Sequence, residues 1–195
     1  MRIIAGIYKG RRLASPRWSG LRPTSDKLRE TLFNILAARI DGARVLDGFA
    51  GTGALGLEAL SRGAAHVTFV DRDRRALALV AENLSRCGIT GGYVMRRGGI
   101  ETLAQAAPTR QFDVILLDPP YDAAAVEVPI GTLGETLADD GVLVFEHARR
   151  RPAPDAAGDL VRTREVVSGD SALAFYARRE IPGARGSVAL GRDEA

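Results

Sequence analysis

From residue 44 onward the chain alternates short apolar, β-branched runs with longer stretches whose apolar residues recur at helical spacing. The runs 44–48, 66–71, 92–96, 112–117 and 142–146 predict strands; the stretches 54–62, 73–87, 99–106 and 126–138, the last with Pro129 in its first turn, predict helices. Such alternation implies a parallel sheet with right-handed crossovers. Residues 161–167 and 172–176, joined by Ser168-Gly169-Asp170-Ser171, predict a closing antiparallel hairpin. Upstream, 2–8 and 11–15 predict a short hairpin broken at Lys9-Gly10, and Leu28, Leu32, Ile35 and Leu36 mark the buried face of a helix from about Thr24. The expected fold is therefore α/β: a mostly parallel seven-stranded sheet with an antiparallel C-terminal hairpin. We divide the chain into an N-terminal hairpin extension (1–23), one α/β domain (24–180) and a polar, Gly-rich tail (181–195) expected to be disordered.

Two motifs fall at the carboxyl ends of predicted strands, where open α/β sheets bind ligands. After 112–117 comes Asp118-Pro119-Pro120-Tyr121. Each proline lacks an N–H and holds the residue before it extended, so the chain leaves the sheet stiffly. The corner is either a surface turn or a device presenting a carboxylate, a carbonyl and an aromatic face to a flat, amine-bearing ring. After 44–48 comes Phe49-Ala50-Gly51-Thr52-Gly53-Ala54-Leu55-Gly56, with Asp71 closing the next strand. That spacing also matches a dinucleotide-binding loop. Asp47, however, would repel a pyrophosphate at the following helix N-terminus and suits a ligand carrying an amine and a sulfonium.

Together these motifs resemble those of class I S-adenosylmethionine-dependent methyltransferases that act on exocyclic amino groups. The stretches Arg22-Pro23-Thr24-Ser25-Asp26-Lys27-Leu28-Arg29-Glu30-Thr31-Leu32-Phe33-Asn34 and Gly51 to Ala64 are similar to signatures of the RsmD family, bacterial 16S ribosomal RNA guanine-N2 methyltransferases, over about residues 1 to 180. The resemblance implies a Rossmann-like fold, S-adenosylmethionine as methyl donor, and ribosomal RNA, in the small subunit or an assembly intermediate, as partner; a cytoplasmic monomer is expected. It places the cofactor against Asp47, Phe49, Ala50, Gly51, Thr52, Gly53, Asp71, Arg72, Gly99, Ile100 and Asp118. Asp71 would accept from the ribose hydroxyls, and Asp47 would orient the loop or meet the amine through water. Where the family often has an acid after the third strand, this chain has Arg97-Gly98-Gly99-Ile100, so adenine recognition is expected from backbone at Gly99 and Ile100. Asp118, Pro119, Pro120 and Tyr121 would be catalytic. Arg22, Thr24 and Arg29 would stand near the pocket mouth, holding the cofactor carboxylate or an RNA phosphate. Gly48 replaces a large apolar residue usual in this loop.

Charge sharpens the division of labour. Residues 1–30 hold eight Lys and Arg against Asp26 and Glu30, a net of +6, whereas the whole chain carries +3. That makes Lys9, Arg11, Arg12 and Arg17 candidates for RNA phosphates, with apolar Ile3, Ile4, Ile7, Tyr8, Leu13 and Trp18 interleaved to order them. Cys87 is the single cysteine and there are two histidines, which argues against a disulfide, a zinc site or a cysteine nucleophile. No run approaches a membrane span or a signal peptide. Competing readings are an N6-adenine methyltransferase, an NAD-dependent oxidoreductase and a non-catalytic ribosome-assembly factor.

Overall fold

The computed structural model describes residues 1–16, 26–106, 109–119 and 127–179. Its elements are α1 (Asp26–Ile35), α2 (Ala37–Ile40), β1 (Arg44–Gly48), α3 (Ala54–Ser61), β2 (His66–Asp71), α4 (Arg74–Arg86), β3 (Tyr93–Arg97), α5 (Ile100–Ala106), β4 (Phe112–Leu117), α6 (Glu127–Leu133), β5 (Leu137–Ala148), β6 (Ala156–Ala157), β7 (Leu160–Ser168) and β8 (Ser171–Arg178). They form one sheet in the order β3-β2-β1-β4-β5-β8-β7-β6. The pairs from β3 to β5 are parallel and those from β5 to β6 antiparallel.

Alternation along the strands splits the core in two. Val45, Val67, Phe69, Val114 and Leu116 face α1, α3 and α4. Leu46, Val70, Ile115 and Leu117 face Ile100 and Leu103 of α5 and Ile130 and Leu133 of α6. Helix α3 comes unusually close to the sheet: a Cβ at Gly56 would lie 2.3 Å from the Phe69 ring. Any side chain there would push the helix off β2. β3 is the outer parallel strand, and its Met95, Arg96 and Arg97 are exposed.

Three expectations are corrected. The sheet has eight strands, because Ala156–Ala157 pairs with Leu160–Val161 across Gly158, which has φ 63°; two alanines carry no readable pattern. The stretch expected to be helical over 126–138 is helical only over Glu127–Leu133 and a 3-10 turn at Gly134–Thr136. Leu137 already pairs with Phe112 as the start of β5. The N-terminal hairpin reduces to one bridge, Arg2 to Arg12. The N–H groups of Ile3, Gly10 and Leu13 still bond across it to the carbonyls of Arg11, Ile3 and Met1, whereas those of Ile4, Ala5 and Tyr8 donate to side chains of α3 and leave the ladder. The tail beyond Arg179 lies outside the described residues.

Candidate active site

Strand order reverses between β1 and β4, so their outgoing connections lie on opposite faces and leave a crevice between them. Gly48 pairs with Val70 on one side and Leu117 on the other. Phe49, Asp71 and Asp118 therefore follow at one level across three adjacent strands. The two motifs separated by more than sixty residues in sequence meet at this rim.

The glycine loop turns sharply, with Phe49, Gly51 and Gly53 at φ 66°, 55° and 76°. For Phe49 that left-handed conformation costs about 1–2 kcal/mol, a cost seen most often where a loop is shaped for a ligand. Ala50 N–H donates to Val70 O at 2.9 Å and Gly53 N–H to Ala50 O at 2.6 Å. A Cβ at Gly53 would lie 2.7 Å from Leu57 Cδ1, so packing as well as φ requires glycine there. At Gly48, a Cβ would meet Ile100 Cδ1 at 2.7 Å and Leu117 Cδ2 at 2.8 Å. Neighbouring side chains thus occupy the volume of the larger residue expected at that position.

Three carboxylates surround this loop. Asp71 is half-buried; its Oδ2 accepts from Gly51 N–H at 2.9 Å and its Oδ1 from Asp73 N–H at 2.8 Å. Each oxygen keeps a further lone pair for a ligand hydroxyl. Asp47 is buried, and its Oδ2 accepts from Gly56 N–H at 2.8 Å in the first turn of α3. It orients the loop and helix directly. Burial pushes the Asp47 carboxyl well above its ordinary range; the Gly56 bond opposes this, while the charges of Asp118 and Asp71 add to it. Asp118 is half-buried and Pro119 buried at the end of β4. Pro120 and Tyr121 lie outside the described residues.

At the β2–β3 end, Arg72 pairs with Glu101 at 2.7 Å over Gly99, where a Cβ would strike Glu101 Oε2 at 2.4 Å. Arg72, expected to line the cofactor site, is thus engaged, and Glu101 supplies an acid there. Glu101 directly follows the stretch Arg97-Gly98-Gly99-Ile100, one residue beyond the backbone expected to meet the adenine. A hydrogen bond from its own backbone, then the Arg72 guanidinium, holds the Glu101 carboxyl below its ordinary value. An acceptor set of this kind, with carboxylates around a turned loop of bare glycine backbone, fits S-adenosylmethionine, whose sulfonium and amine are cationic and whose ribose offers two hydroxyls. It does not fit a pyrophosphate.

Comparison with known proteins agrees. The family described as Conserved hypothetical protein 95, the RsmD family, matches residues 1–177. The chain belongs to the RsmD family. It is 41% identical over 183 residues to "Putative rRNA methyltransferase YlbH" of Bacillus subtilis, covering 92% of this chain and all of that one. It is 38% identical over 180 residues to ribosomal RNA small subunit methyltransferase D of Escherichia coli, covering 91% and 90%. The solved structure "Putative methyltransferase yhhF from Escherichia coli" superposes with a TM-score of 0.80 at 33% identity, over 93% and 99% of the two chains. The fold is that of class I methyltransferases.

In this RsmD-family chain the basic N-terminal segment is anchored by side chains to which the sequence motifs assign no role. Glu58, buried on α3, accepts from Ile4 N–H at 2.8 Å, Ala5 N–H at 3.0 Å and Arg62 Nε at 2.8 Å. Ser61 Oγ accepts from Tyr8 N–H at 3.0 Å. Asn83, buried on α4, pairs with Ala14. Ile3 and Leu13 enter the core beside α1. Lys9, Arg11 and Arg12 are exposed, although Arg11 also donates to Cys87 O and lies 5.0 Å over the Tyr8 ring. Cys87 is buried behind that contact, and burial raises its thiol pKa.

Arg29 corrects an expectation. It is wholly buried; its Nη2 donates to Arg2 O at 2.6 Å and to Asp26 Oδ1 at 3.0 Å, so it ties α1 to the N-terminus and does not reach a ligand at the surface. Burial lowers its pKa. Nε and Nη1 have no partner among the described residues. Arg17, Arg22 and Thr24 lie outside the described residues. Glu146 is buried within β5, opposite Leu173 of β8.

Proposed function

We propose that this protein transfers a methyl group from S-adenosylmethionine to the exocyclic N2 amine of a guanine in 16S ribosomal RNA. The observation that carries the reading is the common level of Phe49, Asp71 and Asp118 at the strand-order reversal, which juxtaposes a sulfonium-compatible acidic loop with an amine-binding corner. Gly51 and Gly53 let backbone approach the methionine part, Asp71 holds the ribose, and Glu101 with Gly99 stands toward the adenine. Bound there, the donor supplies an activated methyl group. The relatives' names support RNA of the small subunit as the acceptor.

The guanine amine lone pair is delocalised into the ring and must be freed before it can attack. Asp118 Oδ and the Pro119 carbonyl accept its two hydrogens and turn the lone pair toward the methyl. These interactions strengthen as the nitrogen becomes tetrahedral, which makes them catalytic and not merely binding contacts. Tyr121 stacks on the base, and a flipped-out nucleotide satisfies the geometry. The proton shed by the nitrogen leaves through Asp118 to water. The exposed cations of the N-terminal segment hold flanking phosphates.

The test is transfer of labelled methyl from S-adenosylmethionine to naked 16S RNA and to small-subunit particles, followed by mass spectrometry of the nucleosides. N2-methylguanosine is expected. N6-methyladenosine would replace the proposed acceptor, and absence of transfer to either RNA form would overturn the function.

A further inference from the structure

Asn83 is fully buried on the apolar stripe of α4, beside Val80 and Leu84. Its amide bonds in three directions. Oδ1 accepts from Ala14 N–H at 2.7 Å, while Nδ2 donates to Ala14 O at 3.3 Å and to Thr52 O at 2.9 Å. Only one orientation of the amide works, because Ala14 N–H requires an acceptor and both carbonyls require a donor. Ala14 belongs to the basic N-terminal segment; Thr52 lies between Gly51 and Gly53. One side chain thus clasps both regions.

The grip on Thr52 matters for loop shape. The Thr52–Gly53 peptide is held at its two ends: its carbonyl by Asn83 and its N–H by Ala50 O. That plane leads into the left-handed Gly53 at the start of α3. Once Ala14 has fixed the amide, donation to Thr52 needs no further loss of side-chain freedom, and acceptance at Oδ1 polarises the N–H that reaches Thr52.

We propose that Asn83 is a positioning residue coupling the N-terminal segment to the cofactor loop, so that ordering either one orders the other. The proposal rests on the reading that this loop holds S-adenosylmethionine and that the segment meets RNA. By linkage, whatever docks on the segment then changes affinity for the methyl donor, and occupancy of the loop changes affinity for RNA by the same factor.

The probe is S-adenosylhomocysteine. In calorimetry, Asn83→Asp, which places a carboxylate against two carbonyls, weakens binding by about tenfold or more. Ala14→Pro removes the N–H accepted by Oδ1 and stiffens the segment locally without touching the loop, yet weakens binding by roughly threefold. It adds nothing in an Asn83→Ala background. An unchanged dissociation constant in folded Ala14→Pro, or effects that simply multiply, would overturn the coupling.

Hydrogen exchange on the wild-type protein gives a readout independent of any variant's folding. Saturating S-adenosylhomocysteine slows exchange of the Ala14 amide, and an unchanged rate refutes the proposal even if the variants misfold. A protein that does not bind S-adenosylhomocysteine at all would refute the cofactor reading instead, so the two failures are distinguishable.

Discussion

The acidic rim of the sheet and the basic N-terminal segment hold their charges in opposite ways. At the rim, side chains are fixed: Asp47 and Asp71 accept backbone N–H groups from the loop they surround, and that loop bends through left-handed Phe49. In the segment, the backbone is fixed by Glu58, Ser61 and Asn83, while the side chains of Arg2, Lys9 and Arg12 are exposed. Charges that meet a small ligand of defined shape gain from preorganisation, because misplacement by an ångström costs rate. Charges that meet a polyanionic backbone need only a fixed base and freedom to follow the phosphates.

The contrast breaks most severely at Asp118. Asp118→Ala should lower single-turnover transfer by about a hundredfold or more while leaving S-adenosylhomocysteine affinity within a few-fold, since its bonds strengthen only in the transition state. A near-normal rate would remove the rim's acid from the chemistry. Asp71→Ala should weaken cofactor binding by roughly a hundredfold, because charged hydrogen bonds contribute about 1.5–3 kcal/mol each and the Gly51 anchor is lost with them. Calorimetry checks this, and unaltered affinity would leave Asp71 with only its structural bonds.

Perturbing the segment should act on stability and salt dependence instead. Glu58→Ala leaves the N–H groups of Ile4 and Ala5 without their acceptor and should cost about 2–3 kcal/mol. In thermal melting that is a fall of roughly 5–10 °C. Neutralising Lys9 and Arg12 together should leave melting and cofactor binding unchanged but flatten the salt dependence of RNA affinity, by roughly 0.7 in log–log slope per lost single-strand contact. Filter binding across a salt series measures it; a wild-type slope would mean that RNA docks elsewhere.

The smallest effect concerns Asp47. Its folded carboxyl titrates above the ordinary value of 3.8, so its contribution to stability is fully present below that pH and is lost as pH rises toward the folded value. Asp47→Asn, which can still accept from Gly56, should therefore melt higher than wild type at neutral pH by a few degrees, with about 1 kcal/mol corresponding to roughly 2–4 °C. The gain should vanish near pH 3 in melts across a pH series. Equal melting at pH 7 would mean that the buried acid costs nothing.

What could be read from the sequence followed pattern strength. Strands 44–48, 66–71 and 112–117 have the expected bounds because each is an apolar run stopped by Gly or Asp, and their adjacency follows from the alternating topology. The start of β5 is not legible in the sequence because Leu137-Ala138 continues the preceding helical spacing. Glu58 lies within the Gly51 to Ala64 signature with no role assigned to it, yet it is a lone acid in a helix whose eight residues are all buried. Asn83 likewise interrupts the buried stripe Ala76, Leu79, Val80 and Leu84. A polar residue at an apolar position of the period is the signal that finds both. Arg29 is buried and not at the surface; its motif locates it near the site but does not say which way the helix turns it.

The two ends of the sheet bear on how the protein behaves when crowded. An open sheet exposes a row of unpaired N–H and C=O groups at each margin, a template on which another chain can add a strand and begin to aggregate. One margin here is β6, only two residues long. The other is β3, which ends in the exposed pair Arg96-Arg97 beside a single exposed Met95. A second β3 laid alongside in parallel register would stack these arginines like on like, a repulsion that opposes edge-to-edge pairing at this margin.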